Sequence, residues 1–410
     1  MPDEHEEASE VFELTLGDPA SGGGFVARAD DGRVIFVRHG LPGERVRAEL
    51  TESHARWARA DVVEVLEASP DRVVPPCRAA GRGRCGGCDY QHATLRAQRG
   101  FKAKLLEEQL RRVAKIEWAV VVEGFSDSGL GTRTRLRFGV TPEGSLGMRQ
   151  RASTELFKVA SCPLGVEEIA TASLNEAYPP GHDVEVLALA AGAPAMVALV
   201  EWTDDEPDPT EASLDFGDEP RPGAVHVEVG PDSFRVSAGS FFQIHRQAPL
   251  ALIDAVLEGL DPKPGEHVLD LYAGVGLFSV PLARAVGDEG VVVAVEAAPS
   301  AVADATANLA PFRQAQVLEA SVTVSSLEEI ALGAQGAVLD PPRAGVDKGV
   351  LEALVNEPTL SKIVLVSCNP ATFARDLKIL LDAGFELASL RALDLFEMTE
   401  HLEIVAALRR

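Results

Sequence analysis

The chain is short of long apolar runs, of cysteine and of positive charge, and each shortage excludes something. No stretch of its 410 residues approaches the roughly 18 consecutive apolar residues that cross a bilayer, which excludes a helical membrane protein. The opening Met1-Pro2-Asp3-Glu4-His5-Glu6-Glu7 is acidic, unlike the basic start of a secretory signal. Five cysteines at uneven spacing are a poor disulfide framework, and thiols in a reducing compartment serve metals or catalysis instead. The expectation is a soluble, cytoplasmic protein. Nothing calls for an obligate oligomer, so a monomer is expected. Lys and Arg number 38 against 63 Asp and Glu, a net charge of −25, which weighs against a nucleic acid gripped by the whole surface. The shortage is uneven, because Arg72 to Lys158 carries 17 Lys/Arg and only 8 Asp/Glu. That stretch reads either as one RNA-facing region or as a solvated basic helix.

What is present divides by chain position. Residues 1–10 read as a disordered acidic tail. Residues 11–70 alternate short β-prone runs with turns such as Asp30-Asp31-Gly32 and Leu41-Pro42-Gly43, the pattern of a small β-barrel. Residues 71–244 form a central region of mixed helix and strand. It has a Gly/Arg/Cys loop, helical periodicity from Thr94 to about Ile116, and a strand with a basic face at Thr132–Phe138. Residues 203–224 are rich in acids, proline and glycine and read as a hairpin or linker. From 245 to 410, apolar strands alternate with helical stretches. Those at 267–271, 291–296, 337–340 and 362–367 are of the buried parallel type. The fold class is α/β multidomain: a doubly wound, Rossmann-like domain preceded by an α+β region and a barrel.

Chemistry concentrates at a few places. Asp270-Leu271-Tyr272-Ala273-Gly274-Val275-Gly276 follows a strand and opens a helix, with glycines for a tight turn and close ligand approach. The third glycine of a dinucleotide fingerprint falls at Ser279 and is missing. Glu296 ends the next strand, where an acid accepts ribose hydroxyls. The pair resembles an S-adenosylmethionine site. Asp340-Pro341-Pro342-Arg343 is a stiffened loop beside that cofactor. Cys368 ends the following strand before Asn369-Pro370 and a helix start, where a helix N-terminus favours thiolate. Glu403 in His401-Leu402-Glu403 is a candidate base, or an ordinary strand glutamate. Cys77, Cys85, Cys88 and Cys162 supply four thiols, suited equally to an iron–sulfur cluster and to structural zinc.

These motifs, with Phe241-Phe242-Gln243 and in this order, resemble the RNA uracil-5-methyltransferase family, in its iron–sulfur branch acting on 23S ribosomal RNA. The resemblance implies a TRAM-type, oligonucleotide-fold barrel at the N-terminus and a four-iron–four-sulfur cluster on Cys77, Cys85, Cys88 and Cys162, with zinc as the alternative. It implies Cys368 as nucleophile and Glu403 as proton-abstracting base. Gln243, Tyr272, Glu296 and Asp340 would contact S-adenosylmethionine or uracil. The implied product is 5-methyluridine. Transfer RNA is the alternative substrate, and a non-catalytic RNA-binding or assembly factor the alternative role. Departures from the family pattern are the longer spacing between Cys77 and Cys85, His245 in place of an asparagine, and Glu397 in place of a proline.

Overall fold

The computed structural model describes residues 10–170, 177–192, 195–201, 223–237 and 240–410. The expected tail at 1–10 and the expected linker at 203–224 fall, but for their last residues, outside the described residues. The first six strands are β1 (Val11–Thr15), β2 (Pro19–Ala20), β3 (Gly24–Arg28), β4 (Val34–Arg38), β5 (Arg45–Ser53) and β6 (Trp57–Glu67). They form one sheet in the order β1-β5-β6-β4-β3-β2. Period-two alternation makes it: Ile35 and Val37 of β4 point inward and are fully buried, while Val34, Phe36 and Arg38 lie on the other face. The resulting core also takes in Tyr90 and Phe101 from later in the chain.

The helix expected from periodicity has a side-chain cap at its start. The Thr94 hydroxyl accepts from the Ala97 amide and opens α1 (Leu95–Gln109). A π turn at Leu110–Ala114 and a left-handed Lys115 end it. After β7 (Val122–Gly124), an antiparallel sheet is built from β8 (Arg135–Val140), β9 (Leu146–Arg149), β10 (Leu156–Lys158), β11 (His182–Leu187) and β12 (Met196–Glu201), with the short α2 (Glu167–Ala170) beside it. Two of the three arginines expected on the basic face at 132–138 are paired within the protein. Arg135 binds Glu185 at 2.7 Å, and Arg137 and Arg149 share the buried Asp183 at 2.6 and 2.8 Å.

The remaining chain is doubly wound. Its elements are β13 (Ala224–Val229), β14 (Asp232–Ser237), α3 (Ala248–Leu260), β15 (His267–Leu271), α4 (Ser279–Val286), β16 (Val291–Glu296), α5 (Pro299–Leu309), β17 (Ala315–Glu319) and α6 (Val324–Ile330). Then come β18 (Gly336–Leu339), α7 (Lys348–Val355), β19 (Lys362–Ser367), α8 (Pro370–Asp382), β20 (Glu386–Asp394) and β21 (Glu403–Arg409). The strands run β17-β16-β15-β18-β19-β21-β20-β7. Those from β15 to β19 pair in parallel, and β21 is inserted antiparallel between β19 and β20. Helices cover both faces, so the central parallel strands β15, β16, β18 and β19 are largely apolar and buried. The β13–β14 hairpin shares a core with α3 and α4, and β7 forms the sheet edge on β20. Residues before 245 thus complete this domain. Strand order reverses between β15 and β18, which opens a crevice at their carboxyl ends. No helix among the described residues is long and apolar enough to cross a membrane.

Candidate active site

The loop after β15 turns on three left-handed residues, Tyr272 (φ 66°), Gly274 (φ 55°) and Gly276 (φ 87°). A non-glycine residue in that region is strained, and such strain gathers at ligand sites. Glu296, at the end of β16, braces the loop. Its carboxylate accepts from the amides of Gly274, Ala297 and Ala298, each at 2.8 Å. Ser279 explains the missing third glycine: its hydroxyl donates to Oδ2 of the fully buried Asp270. The other oxygen, Oδ1, has no hydrogen-bond partner among the described residues. Sequence reasoning quoted Asp270 in a motif without singling it out, although an acid at the end of an apolar strand was the available signal.

Asp340 follows β18, Cys368 follows β19 and Glu403 opens β21. Ser367 pairs with Ile404 across the β19–β21 ladder, so residues 35 positions apart in sequence become neighbours. Burial pushes the Asp270 and Asp340 carboxyls up to about 7, with Glu296 adding to the rise at Asp270 and Asp270 to the rise at Asp340. Burial and then Asp340 hold Glu403 well above its ordinary value, opposed by Arg343. Burial, Glu403 and Asp340 push the Cys368 thiol up to about 12, again opposed by Arg343. The expectation that a helix N-terminus would favour thiolate is corrected here. The Asn369 side chain already accepts from the Ala371 amide at 3.0 Å, and burial among acids outweighs the helix. A site with the carboxyls of Asp270, Asp340 and Glu403 beside a partly buried thiol favours positive charge.

Tyr272 is half-buried against the core. Gln243 is buried and lines a cavity of about 580 Å³ with Phe125, Phe242 and His245. Among the described residues no hydrogen bond joins its side chain to the acids. The structure brings two departures from the family pattern together: His245 Nε2 lies 3.3 Å from Glu397 Oε1, within ion-pair distance. Burial pushes Glu397 up, but His245 brings it below the ordinary carboxylate value.

The other four cysteines are free and partly buried. Burial raises the Cys85 and Cys162 thiols and takes Cys88 to about 12, and neighbouring cysteines add to each shift. Among the described residues, no three His, Cys, Asp or Glu side chains converge as one metal ion requires. Donors aim at the sulfurs: Gly87 N to Cys85 Sγ at 3.5 Å and Gln91 Nε2 to Cys88 Sγ at 3.2 Å. Gly86 lets the loop pack on the end of β9, since a Cβ there would lie 2.4 Å from Arg151 N. The set of four thiols with donors toward sulfur fits a thiolate-bound group.

Residues 225–410 match the family model for tRNA (Uracil-5-)-methyltransferase, and residues 7–63 match the TRAM domain. An uncharacterized RNA methyltransferase of Streptomyces avermitilis is 39% identical, over 97% of this chain and 98% of that one. The 23S rRNA (uracil(1939)-C(5))-methyltransferase RlmD of Chromohalobacter salexigens is 35% identical, over 97% and 89% respectively. The crystal structure of Pyrococcus abyssi tRNA (uracil-54, C5)-methyltransferase with S-adenosyl-L-homocysteine superposes with a TM-score of 0.71 at 23% identity, covering 96% of this chain and 99% of that one. A TRAM domain joined to a doubly wound uracil-methyltransferase domain defines an RNA-modifying methyltransferase. The chain belongs to the RNA uracil-5-methyltransferase family.

Proposed function

We propose that the protein makes 5-methyluridine in 23S ribosomal RNA, with Cys368 as nucleophile and Glu403 as base. The observation that carries the reading is the placement of Cys368 and Glu403 on adjoining strands beside Asp340. C5 of uracil is a weak nucleophile. Addition of the Cys368 thiolate to C6 breaks the C5–C6 double bond and makes an enolate, whose C5 takes the methyl group. C5 then carries both hydrogen and methyl. Glu403 removes that proton, the double bond re-forms and the thiolate leaves. S-adenosylmethionine, when bound, supplies the methyl group as a sulfonium cation.

Tyr272, Glu296, Asp340 and Gln243 are the residues to hold the cofactor and the base. Positive charge entering beside Asp340 lowers the thiol and the acids together, so the nucleophile is armed when the site is filled. Reaching Cys368 requires the uracil to leave its stack. Cys77, Cys85, Cys88 and Cys162 would hold a four-iron–four-sulfur cluster, which would fix their loop. Methyl transfer as written moves no net electrons, so that role is structural.

Nucleoside mass spectrometry tests the reading. Protein and S-adenosylmethionine are incubated with unmodified 23S RNA and, separately, with unmodified transfer RNA. New 5-methyluridine in the ribosomal RNA alone is expected. Methylation of transfer RNA alone would reassign the substrate and keep the chemistry.

A further inference from the structure

The turn between β20 and β21 delivers Glu403, and its anchors come from the cysteine loop. The amides of Asp89 and Tyr90, directly after Cys88, both donate to the Met398 carbonyl, at 2.8 and 2.9 Å. Asp89 Oδ2 accepts from the Glu400 amide at 3.1 Å. The turn is strained where it is held, because Met398 adopts φ 67°. Asp89 is fixed in its turn. Its Oδ1 accepts from Arg151 at 2.8 Å, and it packs so closely on the barrel that a Cβ on Gly23 would lie 2.4 Å from it. Glu403 follows Glu400 by three residues.

We propose that Asp89 is a positioning residue for Glu403: the cysteine loop holds the Met398–Glu400 turn so that the base enters β21 facing Cys368. The inference rests on Glu403 being the base. It gives the thiol loop a task in the reaction that needs no contact with uracil. Misplacing a catalytic group by about 1 Å lowers its rate on the order of 100-fold. The step that suffers is proton removal, after the covalent bond has formed.

Full-length, metal-loaded Asp89→Ala, Glu403→Gln and Cys368→Ala proteins are mixed with RNA and S-adenosylmethionine. Turnover, protein–RNA adduct on denaturing gels, and bound iron and zinc by elemental analysis are then measured. Asp89→Ala is expected to lose roughly 100-fold in turnover and to accumulate adduct as Glu403→Gln does, with native metal content. Adding Cys368→Ala abolishes the adduct. Native turnover in Asp89→Ala, or lost turnover without adduct, overturns the proposal while an adduct in Glu403→Gln keeps the mechanism. No adduct in Glu403→Gln overturns both. If Asp89→Ala does not fold, Asp89→Asn keeps its size, removes the charge facing Arg151, and is read by the same adduct.

Discussion

Buried charge is handled in opposite ways in two regions of this molecule. In the central sheet every such carboxylate named above is paired: Asp183 with Arg137 and Arg149, Glu185 with Arg135. At the crevice of the doubly wound sheet Asp270 and Glu403 are buried and Asp340 is half-buried, with no ion pair to any of them among the described residues, and their carboxyls rise accordingly. Pairing makes the first region rigid and chemically quiet. Leaving charge unmatched makes the second costly to fold and receptive to a cation, which is what a methyl-donating sulfonium is.

The strongest way to break the reactive region is Cys368→Ala. Methyl transfer falls on the order of 10⁴-fold or more, while calorimetry still detects S-adenosylmethionine binding. Appreciable residual turnover would remove Cys368 from the mechanism. The paired region breaks differently. Asp183→Ala takes away the carboxylate that two arginines share, a loss of roughly 3–5 kcal/mol for a buried pair. Denaturant unfolding should show the reduced stability; an unchanged midpoint would mean the network contributes nothing.

A pH titration sharpens the comparison further. Asp270 and Asp340, raised to about 7, are anionic above that pH and take up protons below it. Affinity for S-adenosylmethionine should fall several-fold from about pH 8 to about pH 6, while S-adenosylhomocysteine, which lacks the sulfonium charge, follows weakly. Equal slopes for both ligands would sink the electrostatic account.

The smallest effect is on stability. Asp340 keeps its proton to about 7 when folded, against an ordinary value of 3.8, so the ligand-free fold loses stability as pH rises from 3.8 to about 7. Asp340→Asn should raise the melting temperature of the ligand-free protein by a few degrees above about pH 7 and leave it unchanged near pH 4. A lower melting temperature at both would contradict it.

The parallel strands and the loops at their ends were legible in the sequence, because strands buried on both faces read as apolar runs and their end residues carry the motifs. The helix from Thr94 was legible through its apolar periodicity. The long-range pairings were not legible. Nothing in the sequence says that Arg137 turns inward to Asp183, that Ser279 answers Asp270, or that Asp89 reaches Glu400, since each depends on how distant segments pack. The Cys368 thiol was misjudged for the same reason: its helix is local information, and the acids that outweigh it arrive from β18 and β21.

The antiparallel strand β21 has one more consequence. Because Cys368 directly follows Ser367 and Glu403 directly precedes Ile404, the last rung of the β19–β21 ladder, the spacing of the proposed nucleophile and base is metered by that pairing and is insensitive to the length of the helix between them. Helix α8 and the loop that follows it could lengthen or shorten across relatives without altering that spacing, whereas the Met398–Glu400 turn, held by Asp89, could not. A slip of one rung in β21 would instead turn Glu403 to the opposite face. Drift in this enzyme is therefore free around α8 and forbidden in the register and in the turn that Asp89 holds.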